Sequence, residues 1–202
     1  MSGKKSRLIP RLKVALWIGA LMPLLILIYL IFSGSFIADD PVEEIQHRTG
    51  ISVLILLFLT LSITPLRRLT GWNSLVRFRR PLGLFAFFYA TLHAFSYFVF
   101  DQELSATGIA ADVIEHPWVL VGFTAFVLLI PMAVTSTAGW IRRLGGKRWA
   151  QLHRLIYPVA ILGVLHFFWQ VKLDESEPVL YAVLLAVILA SRVVVKSRKR
   201  TV

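Results

Sequence analysis

AQLHRLIYPVAILGVLHFFWQV, Ala150 to Val171, is long enough to cross a bilayer and carries a histidine near each end, His153 and His166. Imidazole is costly to leave unpaired in hydrocarbon, so histidines inside a membrane are rare and tend to be functional. The two lie thirteen positions apart, which on a helix rising about 1.5 Å per residue is roughly 20 Å. One histidine therefore lies near each membrane face.

The rest of the chain agrees with a membrane setting. Hydrophobic residues make up 57% of the 202 positions and the mean hydropathy is +0.72, far too apolar for a soluble domain of this size. Apolar runs cover about 14–32, 50–64, 81–100, 117–134, 150–171 and 179–195. The first follows a basic start and could be a secretory signal peptide, but it is long for one and no small-x-small cleavage site follows, so it is read as a retained span. These features predict an all-α, polytopic helical bundle of six spans in a single domain, 1–202.

Charge sets the orientation. The net charge of +11 resembles a nucleic-acid footprint only until its distribution is seen. Four clusters of five residues hold 20 of the 22 lysines and arginines, leaving only Arg48 and Lys172 outside. All 11 acids fall in the other three connections, from Asp39 to Glu44, Asp101 to Glu115, and Asp174 to Glu177. The positive-inside rule then puts the basic ends and both termini in the cytoplasm. No extramembrane stretch is long enough for a nucleotide-binding or catalytic domain. Gly145-Gly146 marks only a turn. With no cysteine, disulfides, thiolate redox chemistry, thiolate-bound iron–sulfur clusters and haem attached through C-x-x-C-H are excluded.

Topology turns the histidines into depths. The third and fifth spans both run outward, so His93, eight residues before Asp101, and His166, six before Lys172, share the outer half of the membrane. Neutral imidazoles at one level on two helices can ligate one haem iron axially; the alternative is two core histidines, each bonded to a neighbouring helix. For His153, beside Arg154 and near the basic face, three readings stay open: a lone ligand to a second haem, a partner to a haem propionate or flavin phosphate, or an ordinary interfacial residue. Arg148 and Arg154 are candidates to hold such a propionate or phosphate. His116 is read as solvated and His47 as interfacial. Tyr89, Tyr97, Phe100, Phe167, Phe168 and Trp169 surround the proposed haem level, although aromatic girdles also explain them. Gly163 would admit a flat macrocycle or serve as a helix-packing contact. No residue stands out as catalytic.

Three stretches carry a family likeness: DPVEEIQHRTG (Asp40 to Gly50), RRPLGLFAFFYATLHAFSY (Arg79 to Tyr97) and LGGKRWAQLHRLIY (Leu144 to Tyr157), with His166 beyond. Together they resemble the MsrQ (YedZ) family, the haem-binding membrane subunits of bacterial methionine-sulfoxide reductase systems, within the ferric-reductase-like transmembrane group. The likeness covers essentially the whole chain. It implies haem b and FMN in the bacterial inner membrane. Electrons would come from the quinone pool or a cytoplasmic flavin reductase and go to a periplasmic molybdenum subunit, MsrP, that repairs oxidised proteins. The family's haem histidines fall on His93, His153 and His166. Where NADPH oxidases of the group have a further histidine on the third span, this chain has Arg80, so a ladder of two bis-histidine haems lacks one rung. The FMN site maps to no motif. A stand-alone ferric or quinone reductase would need a nucleotide-binding domain, and a transporter would show repeats or mid-membrane charge; neither feature is found.

Overall fold

The computed structural model describes residues 2–36, 40–171 and 176–197; Asp39, Lys172, Asp174, Glu175 and the basic tail at Arg198, Lys199 and Arg200 lie outside the described residues. Eight α-helices and no strands occur among these: α1 (Ser2–Ser33), α2 (Pro41–Thr70), α3 (Arg79–Ser96), α4 (Ala106–Glu115), α5 (Pro117–Val134), α6 (Ala138–Leu152), α7 (Ile156–Gln170) and α8 (Ser176–Ser197). Six helical stretches are long and apolar enough to cross a membrane, with α6 and α7 forming one of them. The chain is an all-α, multi-pass membrane protein.

The boundaries follow from local chemistry. Asp40 accepts a hydrogen bond from the Val42 amide at 2.8 Å, Pro41 occupies the first turn, and Glu43 and Glu44 sit at the positive end of the helix dipole. At the other end Arg67 and Arg68 occupy the last turn and Gly71 takes the left-handed conformation, φ 66°. Helix α2 thus extends past the 50–64 apolar run in both directions. Its charged first turns stay helical because Glu44, 6% exposed, receives Arg48 at 2.6 Å.

Two further departures from the sequence reading matter. The acidic connection after α3 is not plain loop: α3 ends in a π-helical turn, Tyr97–Asp101, and α4 follows, started by the Ser105 hydroxyl accepting from the Gly108 amide at 3.1 Å. The fifth span is not one rod from 150 to 171. Helix α6 breaks at Gly145 (φ 73°, ψ 150°), and a 3₁₀ turn at His153–Leu155 separates it from α7. Pro158 explains that turn, since its ring clashes with the carbonyl four residues back, at Arg154, and it has no N–H to bond there.

Helix α2 is the centre of the bundle, against α1, α3, α7 and α8, while α5 lies against α3 and α7. Leu57, Leu61, Ala86, Tyr89, Val159 and Ala160 are almost wholly buried. The two alanines let α3 and α7 approach their neighbours closely, as small residues do between membrane helices. Exposed Trp17, Leu25, Tyr29 and Phe32 on α1 and Val183 and Val187 on α8 form apolar outer faces suited to lipid.

Tyr89 fastens α1 to this core. Its hydroxyl donates to the Ala20 carbonyl at 2.6 Å and accepts from the Leu24 amide at 3.1 Å, inserting at an i, i+4 pair beside Pro23. Tyr89→Phe is expected to lower stability by about 1–2 kcal/mol, read as an earlier unfolding midpoint in detergent. An unchanged midpoint would show that α1 is held by packing alone.

Candidate functional site

Helix α3 carries His93 and α7 carries His166, and the bundle brings the two rings face to edge with centres 6.0 Å apart and planes at 80°. Each ring is held the same way. His93 Nδ1 lies 3.0 Å from the Gln46 carbonyl and 3.2 Å from Thr49 Oγ1, and His166 Nδ1 lies 2.7 Å from the Trp118 carbonyl. A carbonyl can only accept, so both Nδ1 atoms carry the proton, and in the neutral ring Nε2 keeps its lone pair. That is the arrangement seen in metal-ligating histidines, whose other ring nitrogen donates to a backbone carbonyl or carboxylate.

The helices that supply the acceptors share a pattern. Gln46 is followed four residues later by Gly50 on α2, and Trp118 is followed four residues later by Gly122 on α5. A helical carbonyl points toward residue i+4, so an imidazole bonded to it lies over that residue. A Cβ at Gly50 would meet His93 Cε1 at 3.4 Å, and one at Gly122 would meet His166 Cε1 and Nδ1 at 2.8 Å. The glycines admit the rings. Nothing in the sequence reading singled out Gln46, Thr49, Trp118 or Gly122; the one available signal was a lone glycine inside the apolar run of α5. Gly163, by contrast, packs α7 on α2, since a Cβ there would meet Leu54 Cδ2 at 3.1 Å.

Whether a haem suits this pair can be judged from the donors. With both Nδ1 protons committed to carbonyls and the ring centres 6.0 Å apart, the two Nε2 lone pairs are the donors this pair would offer a metal centre. Among the described residues no group of three or more histidines or carboxylates could hold a bare metal ion. Two neutral nitrogens suit an iron whose remaining ligands come from a macrocycle.

His153 is not brought to another histidine. Its ring stacks on Trp149 (4.0 Å, 28°), and its Nε2 lies 3.2 Å from Thr135 Oγ1. Since that hydroxyl donates to the Pro131 carbonyl at 2.6 Å, Nε2 is the donor to Thr135 and Nδ1 is left with the lone pair. Trp149 Nε1 donates to the Thr135 carbonyl at 2.9 Å, so the three residues brace one another. Arg148 and Arg154 are exposed, with no ion pair among the described residues.

The histidines among the acidic connections are more engaged than expected. His116 is half-buried, bonded to Asp112 at 2.7 Å, with its ring 4.7 Å from that of Trp118. His47 lies 3.5 Å from Glu177 and packs near Phe167, which in turn meets Tyr181. Tyr97 donates to Asp112 at 2.5 Å, and Gln46 to Asp101 at 2.5 Å, tying α4 and the end of α3 to the site. Phe100 and Trp169 are exposed, as girdle residues would be.

Comparison with known proteins bears on this geometry. The family model described as "Ferric reductase like transmembrane component" matches residues 48–164. A protein of Xanthomonas axonopodis pv. citri (strain 306) is 54% identical over 162 residues, covering 80% of this chain and 74% of its own length. One of Xanthomonas campestris pv. campestris (strain 8004) is 54% identical over 154 residues, covering 76% and 70% respectively. One of Herminiimonas arsenicoxydans is 46% identical over 192 residues, covering 94% and 88%. All three bear the name "Protein-methionine-sulfoxide reductase heme-binding subunit MsrQ".

Proposed function

The chain belongs to the ferric-reductase-like transmembrane family, among its MsrQ haem-binding subunits, and from that premise we propose that His93 and His166 hold one haem b as axial ligands. The observation that supports this most is the facing pair itself: ring centres 6.0 Å apart, with both Nδ1–H groups committed to carbonyls. Haem would supply one-electron redox chemistry, and the protein sets its potential through ligand identity, hydrogen bonding and burial. Gln46 and Trp118 orient the rings and raise the basicity of Nε2. Thr49 adds a second acceptor at His93, and the glycines keep both approaches open. His153, braced by Thr135 and Trp149, tunes or ligates on the basic side.

The protein is a haem-binding subunit of a methionine-sulfoxide reductase in the bacterial inner membrane. It takes electrons from the quinone pool or a cytoplasmic flavin reductase, uses FMN as a second cofactor, and passes the electrons outward to a periplasmic molybdenum subunit of the MsrP type. Both termini face the cytoplasm, consistent with the positive-inside rule. The outer acidic surface around His47, Asp112 and Glu177 meets the partner. The deciding experiment is haem and flavin content per polypeptide in the native protein, followed by reoxidation of the reduced protein with the MsrP-type subunit. Stoichiometric b-type haem with rapid reoxidation is expected. A colourless protein, or one that reduces ferric chelates unaided and ignores the partner, would replace this reading.

A further inference from the structure

At the opposite end of the bundle from the acids, Arg192 on α8 is held half-buried between two helices. Its Nη2 donates to Thr64 Oγ1 of α2 at 2.8 Å, and its guanidinium lies 5.2 Å from the centre of the Tyr157 ring on α7. Its Nη1 is buried and has no hydrogen-bond partner. Arg79 at the start of α3 and Arg68 at the end of α2 are close enough to act electrostatically on it. A second buried donor without a partner among the described residues, Trp72 Nε1, lies on the connection between those two arginines.

Among the described residues no side-chain carboxylate pairs with this charge. In the sequence all 11 acids fall in the connections at the other ends of the spans, and a bilayer core is about 30 Å thick. Guanidinium groups gathered in a partly buried site repel one another, and an unpaired charged N–H there is costly unless an anion completes it. Several separate cationic donors suit a phosphate, which offers more than one negative charge and three acceptor oxygens, better than a carboxylate.

We propose that the basic end of the bundle is a phosphate-binding site, in which Arg192 and Arg79 grip the group between α2, α3, α7 and α8. These are not Arg148 and Arg154, which the sequence reading put forward for that task. The phosphate could be that of FMN or of an anionic phospholipid; only the flavin source rests on the cofactor reading above.

The test uses the full-length protein in phosphatidylcholine nanodiscs. FMN and riboflavin, which lacks the phosphate, are titrated by flavin fluorescence, and retention of added phosphatidylglycerol is followed by native mass spectrometry. If the source is flavin, FMN binds about tenfold or more tighter than riboflavin, as expected for charge-assisted hydrogen bonds, and Arg192→Gln and Arg79→Gln abolish the difference. If the source is lipid, the wild type retains phosphatidylglycerol over phosphatidylcholine and both variants lose it. Arg192→Lys restores part of either effect. Exposed Arg79 serves as the variant least able to disturb folding, and an unaltered haem spectrum in each variant separates this outcome from failure of the haem assignment. The site is overturned if neither probe distinguishes the variants from wild type. It is equally overturned if discrimination is lost in Arg148→Gln or Arg154→Gln but survives in the other two. Loss of a second haem equivalent with phosphate binding intact would assign the arginines to propionates instead.

Discussion

His166→Ala and His93→Ala are each expected to lose b-type haem by at least about tenfold, because removing only an outer hydrogen-bond partner of a metal ligand already costs about 10- to 100-fold in affinity. Each substitution removes one of two rings whose centres lie 6.0 Å apart and takes the imidazole donor from a backbone carbonyl, that of Trp118 or of Gln46. The measurement is the pyridine-haemochrome content of purified protein, with helix content as the folding control. His116→Ala, whose ring bonds Asp112 and packs on the Trp118 side chain rather than on either histidine, should keep full haem. His153→Ala should show partial loss or a shifted midpoint potential. Full haem retention by both His93→Ala and His166→Ala would sink the axial assignment.

The second large effect is expected where no ligand is touched. Gly122→Ala places a methyl group 2.8 Å from His166 Cε1 and Nδ1 and 3.1 Å from Cγ, closer than packed carbon atoms allow. Either the ring leaves the Trp118 carbonyl or α5 moves away from α7. Overpacking of this kind costs about 1–3 kcal/mol, which corresponds to roughly 5- to 150-fold in haem affinity if it falls on the site. Gly50→Ala, at 3.4 Å from His93, should cost less than about threefold. Gly163→Ala meets Leu54 at 3.1 Å and should lower stability while leaving the haem potential alone. The ordering Gly122 over Gly50, in haem content and in midpoint potential, is the diagnostic result. A Gly122→Ala protein with wild-type haem and potential would mean that His166 is not held against α5 in the working molecule.

Much of this was readable before any coordinates, and the reason differs from feature to feature. The spans and the alternation of charge are properties of stretches along the chain, and the bilayer converts length and charge directly into position. The depth match of His93 and His166 follows by counting from the charged ends. The α4 helix escaped because its ten residues are too few to register as a span. The 3₁₀ turn at His153–Leu155 was foreshadowed by Pro158, yet its form depends on how the freed backbone groups are used. His116 looked solvated because its partner Asp112 sits one turn away on a helix that had not been recognised.

What the sequence by itself determined, then, is a six-span membrane helical protein with two histidines at one level and a strict division of acidic and basic ends. Burial in lipid depends on local composition, so a one-dimensional string suffices for it. Tertiary structure alone decided that the imidazoles face one another, that Gln46 and Trp118 set their tautomers, that Gly122 rather than Gly163 clears the approach, and that Arg192 meets Thr64 while one of its nitrogens stays unpaired. Each of these joins residues 44 to 128 positions apart, and the rotation of one helix about its axis relative to another is fixed by packing across the bundle, which no local pattern records.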